Sequence, residues 1–281
     1  MASIASSISS ANQGTLAPEL DAKESELRSL MRSMRKVLVA YSGGVDSSYL
    51  AYIAKQELGR DAVCILGVSP SVSERQLEEA RKFALTHDLN ILEIVTDELK
   101  DENYTSNPAN RCYFCKSELY GKLRSTAKDL GIGHIVDGTN ASDLKDVRPG
   151  RVAASENEVR SPLAEIGIEK SMIRKLSDIH GLDTWDKPSS PCLSSRIAYG
   201  VPVTIERLGQ VERAEAVLRA MGLREFRVRV HGDLARIEIS KDELANFLNG
   251  DAFDHVRASF KPLGFKYITF DLEGFRSGSM N

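Results

Sequence analysis

The sequence predicts an α/β fold: a parallel sheet with helices on both faces, followed by a small α+β C-terminal domain. Three observations predict it. Val37 to Tyr41 is a short, mostly apolar run that leads through a Gly-rich turn into helical spacing. Further apolar runs then alternate with amphipathic stretches, the pattern of a parallel sheet with right-handed crossovers. Beyond the Pro/Ser segment from Lys187 to Pro191, apolar and basic residues alternate instead, which marks half-exposed strands.

In chain order, residues 1–18 are Ser/Ala-rich and carry no Lys or Arg. They predict a disordered tail rather than a secretory signal. Glu19 to Met34 sets Leu20, Leu27, Leu30 and Met31 among charges, an amphipathic helix. After the Val37–Tyr41 strand, Leu50, Ile53, Ala54 and Leu58 predict a helix from near Asp46. Ala62 to Val68 is a second buried strand, with Cys64 as a small core residue. Ser73 and Gln76 make a capping box for a helix to about His87. Asn90–Val95 is a third strand, Ser117–Leu130 a helix ended by Gly131, and His134–Asp137 a fourth strand. The polar stretch 139–162 reads as a long functional loop, and Glu169–His180 as a helix. These elements define a first domain, 19–187. In the second, 188–281, Val211, Ala214, Leu218 and Met221 form a helical face. Phe226–Val230 and Ala235–Ile239 flank a turn, two helices follow, and Phe265–Leu272 is a last strand.

Composition narrows the function classes. Hydrophobic residues make up 42% and charged residues 27%, as in a soluble globular protein. The net charge of −3 argues against a general nucleic-acid footprint, and no apolar run is long enough for a membrane span. Four cysteines in this spacing suit a cytoplasmic metal or redox site better than a disulfide scaffold.

The chemistry centres on Ser42, Gly43, Gly44, Val45, Asp46, Ser47 and Ser48. A strand, a tight glycine turn and a helix start together build an anion site. The glycines let backbone approach an oxyanion and reach positive φ. The serine hydroxyls and the free helix amides surround it, and Asp46 is placed to cap the helix or hold Mg²⁺. The run is neither a Walker loop nor G-x-G-x-x-G. It resembles the PP-loop of the ATP pyrophosphatases, the adenine nucleotide alpha hydrolase-like fold, which cradles ATP and transfers AMP. That resemblance implies ATP and Mg²⁺ as ligands. It gives ATP-binding roles to Ser42, Gly43, Gly44, Asp46 and Ser47, with Gly138 and Arg148 from later strand-end segments.

Cys112 and Cys115 form a C-x-x-C beside Arg111 and Lys116, read as lying just before a helix. There is no second C-x-x-C to complete a zinc site. Cys192 is the third candidate thiol. The three fit an iron–sulfur cluster with one open iron, or a redox pair plus a nucleophile. Arg196, Arg227 and Arg229 suit phosphate, although Arg227 and Arg229 also fit a solvated sheet face. Glu215 and Glu238 read unaided as surface carboxylates that could bind a divalent ion.

From about residue 20 onward the chain resembles the LarE family of ATP-dependent sulfur transferases, the pyridinium-3,5-bisthiocarboxylic acid mononucleotide synthases. The resemblance is carried by Ser42–Ser47, Asp137–Asn140, Asp146–Gly150, Ser195-Arg196, Tyr199-Gly200, Arg227–Arg229, Asp233–Glu238 and Gly274–Gly278. It implies that a carboxylate of pyridinium-3,5-biscarboxylic acid mononucleotide is adenylylated and AMP is displaced by sulfur, toward a nickel-pincer cofactor. Ser195, Arg196, Arg227 and Arg229 then bind substrate, and Glu215 and Glu238 match metal positions near the sulfur site. The three cysteines resemble the branch thought to hold a 4Fe–4S cluster on Cys112, Cys115 and Cys192. The one-cysteine branch instead sacrifices a cysteine sulfur. A homo-oligomer is implied, and the sulfide source stays open. The rival readings are a tRNA-thiolating enzyme, an ammonia-using ligase and an ATP-binding sensor.

Overall fold

The computed structural model describes residues 7–145, 149–247 and 251–276. Arg148, an expected ATP ligand, lies outside these residues, as do Asp146, Val147 and the end of the Gly274–Gly278 run. The described chain divides into two compact units. The first comprises residues up to Val68, 74–96 and 115–190; the second comprises 69–73, 97–114 and 191 onward. Both inserted segments fall inside the 19–187 span expected of the first domain.

In the first unit four parallel strands, β1 (Val37–Tyr41), β2 (Ala62–Val68), β3 (Asn90–Val95) and β4 (His134–Asp137), lie in the order β3-β2-β1-β4. Helices α1 (Ser7–Met34), α2 (Val45–Leu58) and α3 (Glu74–Thr86) accompany the first three strands. Further along come the short α4 (Glu102–Thr105), which belongs to the second unit, α5 (Arg111–Asp129), whose first turn falls in the second unit, α6 (Pro149–Glu156), α7 (Pro162–Glu165) and α8 (Lys170–Ile179). The central strand β1 is apolar because both of its faces are covered: Val37, Leu38 and Val39 are fully buried, as are Ile53 and Ala54 of α2. β3 is one of the two edge strands, and Leu92 and Val95 on it are exposed.

Three expected boundaries change. α1 begins at Ser7, inside the segment read as a tail. α5 begins at Arg111 rather than Ser117, so the C-x-x-C sits within the helix. The 139–162 stretch is not a plain loop: it forms a short 3₁₀ turn at Ala141–Lys145, then α6 with Pro149 as its first residue, a position proline favours. It then pairs Arg160 with Val136 beside β4.

The second unit is built on β5 (Phe226–His231), β6 (Leu234–Ile239) and β7 (Tyr267–Phe270). β5 and β6 are antiparallel, and β6 and β7 are parallel. Helix α9 (Ile205–Ala220) packs on β5 through Val211, Ala214 and Leu218, all fully buried. α10 (Lys241–Phe247) and α11 (Ala252–Phe260) complete it, with Phe260 buried beside Phe265.

Candidate active site

The Gly-rich turn stands at the carboxyl end of β1, where open α/β sheets bind ligands. α2 starts at Val45, with Gly44 in extended geometry as its N-cap and no side chain capping it. Asp46 is therefore not the cap. Gly43 has φ of 68°, and a Cβ there would lie 2.6 Å from Ala80 Cβ of α3. Only glycine fits both conditions. Ser47 Oγ accepts from Ser42 N at 3.2 Å, lies 3.0 Å from Ser42 Oγ and donates to Gly44 O at 3.2 Å, closing the loop on itself. Gly138, just after β4, approaches so closely that a Cβ would meet Ser47 N at 2.7 Å. Thus Ser42, Gly43, Gly44, Asp46, Ser47 and Gly138 come together at this strand end.

Two lysines that the sequence reading missed join them. Lys170, at the start of α8, holds Asp46 Oδ2 at 2.8 Å. Lys187 donates to Gly43 O at 3.0 Å. Both lie more than a hundred residues from the loop, so no local spacing announces them. Asp46 Oδ1 is buried and has no hydrogen-bond partner. A polar atom left so beside an anion cradle fits a hard cation, so Asp46 is the residue suited to Mg²⁺. Asp137, also not singled out by role, is buried and accepts from Tyr120 Oη, Thr139 N, Thr139 Oγ1 and Ser161 Oγ. The Lys116 ammonium lies 5.2 Å over the Tyr120 ring. Charge interaction with Tyr120 first, and with Asp137, pushes Lys116 upward and keeps it cationic.

In the second unit Arg196 is 4% exposed and ion-paired to Glu215 Oε1 at 3.0 Å. Its Nη1 also donates to Pro191 O, Cys192 O and Ser195 Oγ, so it ties down the loop that carries Cys192. Arg229 is 5% exposed, pairs with Glu238 Oε1 at 3.1 Å and donates to Ser195 O at 2.8 Å. The solvated-face reading therefore fails for Arg229. Glu215 and Glu238 are not surface carboxylates either: both are buried against these guanidinium groups. Arg227 lies 4.8 Å over the Phe275 ring. Burial first, then neighbouring Arg196, lowers its pKa to about 10. Loss of that proton is favoured by desolvation, and an anionic ligand would oppose it.

Cys112 is exposed, Cys115 and Cys192 are partly exposed, and Cys64 is buried. Burial pushes the Cys64 thiol up to about 12, which makes it inert. Cys112 and Cys115 stand one turn apart near the start of α5. Arg111, expected to act beside them, is buried, donates to Asn107 Oδ1 and lies 6.0 Å over the Tyr199 ring. Among the described residues no three His, Cys, Asp or Glu side chains are gathered into a group that could hold a metal ion. No helix among them is long and apolar enough to cross a membrane.

Parallel sheet, glycine cradle and orphaned acidic oxygen define an ATP-using enzyme of the PP-loop class, and residues 23–124 match the family model described as NAD synthase. The chain is 44% identical to an uncharacterized protein of Synechocystis over 93% of its length and 98% of that protein's. It is 35% identical to the pyridinium-3,5-bisthiocarboxylic acid mononucleotide synthase of Lactiplantibacillus plantarum, over 93% of this chain and 95% of the synthase. A tRNA-specific 2-thiouridylase of Clostridioides difficile is 26% identical over only 56% of the chain. The chain belongs to the pyridinium-3,5-bisthiocarboxylic acid mononucleotide synthase family, and it is an ATP-dependent sulfur transferase.

Proposed function

We propose that this enzyme adenylylates a carboxylate of pyridinium-3,5-biscarboxylic acid mononucleotide and replaces AMP by sulfur. The end-to-end match to the synthase carries this reading. The geometry of the anion cradle supports its first step. In the first step a substrate carboxylate oxygen attacks the α-phosphorus, and the bond to pyrophosphate breaks. The cradle of Ser42, Gly43, Gly44 and Ser47, with Gly138 packed on it and Arg148 as the proposed further ligand, holds the departing phosphates. Asp46 would hold the Mg²⁺ that neutralises them. In the second step a sulfur nucleophile attacks the acyl carbon, and the bond to the AMP oxygen breaks, leaving a thiocarboxylate. Ser195, Arg196, Arg227 and Arg229 are the proposed substrate-binding residues.

The sulfur supply is assigned to Cys112, Cys115 and Cys192, the three thiols with solvent access. Three thiols in this chain support a 4Fe–4S cluster, which would supply exchangeable sulfide. Among the described residues these thiols are not gathered into a metal-holding group. Glu215 and Glu238 remain proposed metal positions, although each is engaged by arginine. A cytoplasmic homo-oligomer completes the proposal.

The test is pyrophosphate release with and without the dicarboxylate, with the product's mass read alongside. Substrate-dependent release and a thiocarboxylate product are expected. Release that needs ammonia or tRNA instead would overturn the reading. Iron and acid-labile sulfide, assayed on protein kept from oxygen, decide between cluster and cysteine as sulfur source.

A further inference from the structure

The second unit takes two segments from the middle of the chain, 69–73 and 97–114. Each grips a residue that follows Cys192. Leu193 N donates to Ser71 O at 2.7 Å. Tyr104 Oη and Ser194 Oγ lie 2.5 Å apart, and both residues are buried. Cys192 O accepts from Ser195 N at 3.0 Å and from Ser195 Oγ at 2.7 Å. The backbone next to the thiol is fixed from several directions, while Cys192 as a residue keeps partial exposure.

Ser71 in turn is fixed by Glu98. Glu98 Oε1 accepts from Ser71 Oγ at 2.8 Å and also from Ser69 Oγ. Ser71 N donates to Ser69 Oγ at 3.0 Å, so the 69–71 turn is folded around one carboxylate oxygen. Ser69, Ser71 and Glu98 are 6%, 3% and 2% exposed. Glu98 Oε2 is buried without a hydrogen-bond partner, and no ion pair to Glu98 occurs among the described residues. A carboxylate buried without a counter-charge is costly. Stability alone does not account for it, because an apolar side chain of similar size would fill the site at less cost. What Glu98 does supply is a short chain of contacts: carboxylate to Ser71 hydroxyl, Ser71 carbonyl to Leu193 amide, Leu193 to Cys192.

We propose that Glu98, acting with Ser69 and Ser71, is a positioning residue for the Cys192 thiol. The proposal rests on the reading of Cys192 as a sulfur-handling residue. Glu98 touches neither substrate nor reacting sulfur; it sets the direction of the thiol through the Ser71–Leu193 hydrogen bond. Removing its acceptor oxygen releases the 69–71 turn and lets the thiol sample more orientations.

The experiment compares Glu98→Ala, Glu98→Gln and Ser71→Ala with the parent in the full-length chain. The first readout is the rate of iodoacetamide labelling at Cys192, with Cys112 and Cys64 followed in the same digest. The second is sulfur transfer, split into kcat and KM. In Glu98→Ala, labelling of Cys192 relative to Cys112 is expected to rise about fivefold, and kcat to fall about tenfold with KM unchanged. Glu98→Gln keeps one carbonyl oxygen for the two serines and is expected to restore both readouts. Unchanged Cys192 labelling in Glu98→Ala, or a Gln variant as defective as Ala, overturns the proposal. If Glu98→Ala exposes Cys64 as well, the fold has loosened. The milder Ser71→Ala then decides, with selective labelling of Cys192 supporting the proposal and unselective labelling overturning it. The labelling arm needs no substrate, so it stands even if the parent transfers no sulfur and the proposed function fails.

Discussion

The anion cradle after β1 and the arginine group around β5 are built by opposite means. The cradle is mostly backbone: glycine space at Gly43 and Gly138, helix amides, serine hydroxyls and an Asp46 oxygen left without a partner. The arginine group is mostly side chain, and its charges are already balanced within the fold, Arg196 by Glu215 and Arg229 by Glu238. A backbone cradle costs little to keep ready and is spoiled by one added methyl group. A buried ion pair tolerates small changes of volume and is spoiled by losing one partner. Arg196 and Arg229 also donate to Pro191, Cys192 and Ser195 oxygens, so part of their work is to shape the Cys192 loop.

That contrast is most easily broken at Glu215. Glu215→Ala leaves Arg196 buried without its carboxylate, a loss expected to cost about 3–5 kcal/mol. Denaturant unfolding is expected to show it, and Arg196→Met on top should recover part of it. A stability change below about 1 kcal/mol would mean that the pair is as weak as a surface one. Gly43→Ala comes next. Its positive φ and its contact with Ala80 together make a cost of about 2–4 kcal/mol. Nucleotide-dependent pyrophosphate release is expected to fall about a hundredfold, whereas Gly121→Ala, in open space within α5, leaves it unchanged. Equal activity of the two variants would contradict the cradle.

The third effect is smaller and depends on pH. Burial holds His87, in the first unit, below its usual value of 6.5. Burial, then Arg236 and Arg229, does the same to His231 in the second. Both are neutral in the fold at pH 7. As pH falls through 6.5 the unfolded chain takes up these protons first, so stability is full above that value and declines below it. Thermal melts at pH 7.5 and 5.5 are expected to show the decline, and His87→Asn and His231→Asn should each lessen it. The smallest effect is chemical: thiol labelling of the folded protein is expected to reach Cys112 and spare Cys64.

The sheet was legible because its strands carry their burial in their composition. Val37–Tyr41, Ala62–Val68 and His134–Asp137 were read at the bounds that the structure shows. The cradle was legible because all of its residues but Gly138 lie in one short run. The start of α5 was not, since Cys112, Tyr113 and Phe114 are weak helix formers and the chain turns at Pro108–Asn110. Burial of Arg229 was not legible either. Alternation reads as a half-exposed strand, and the carboxylate that makes burial tolerable sits on the neighbouring strand. Lys170 and Lys187 reach the cradle only through the tertiary fold. The same holds for Glu98, whose two serines lie on a separate segment.

The central claim is that a substrate carboxylate is activated by AMP and then gives up an oxygen for sulfur. The most direct measurement supplies pyridinium-3,5-biscarboxylic acid mononucleotide with heavy oxygen in its carboxylates and weighs the AMP formed. The account predicts that the labelled oxygen appears in AMP as the thiocarboxylate appears in the product. Unlabelled AMP alongside thiocarboxylate product would contradict it.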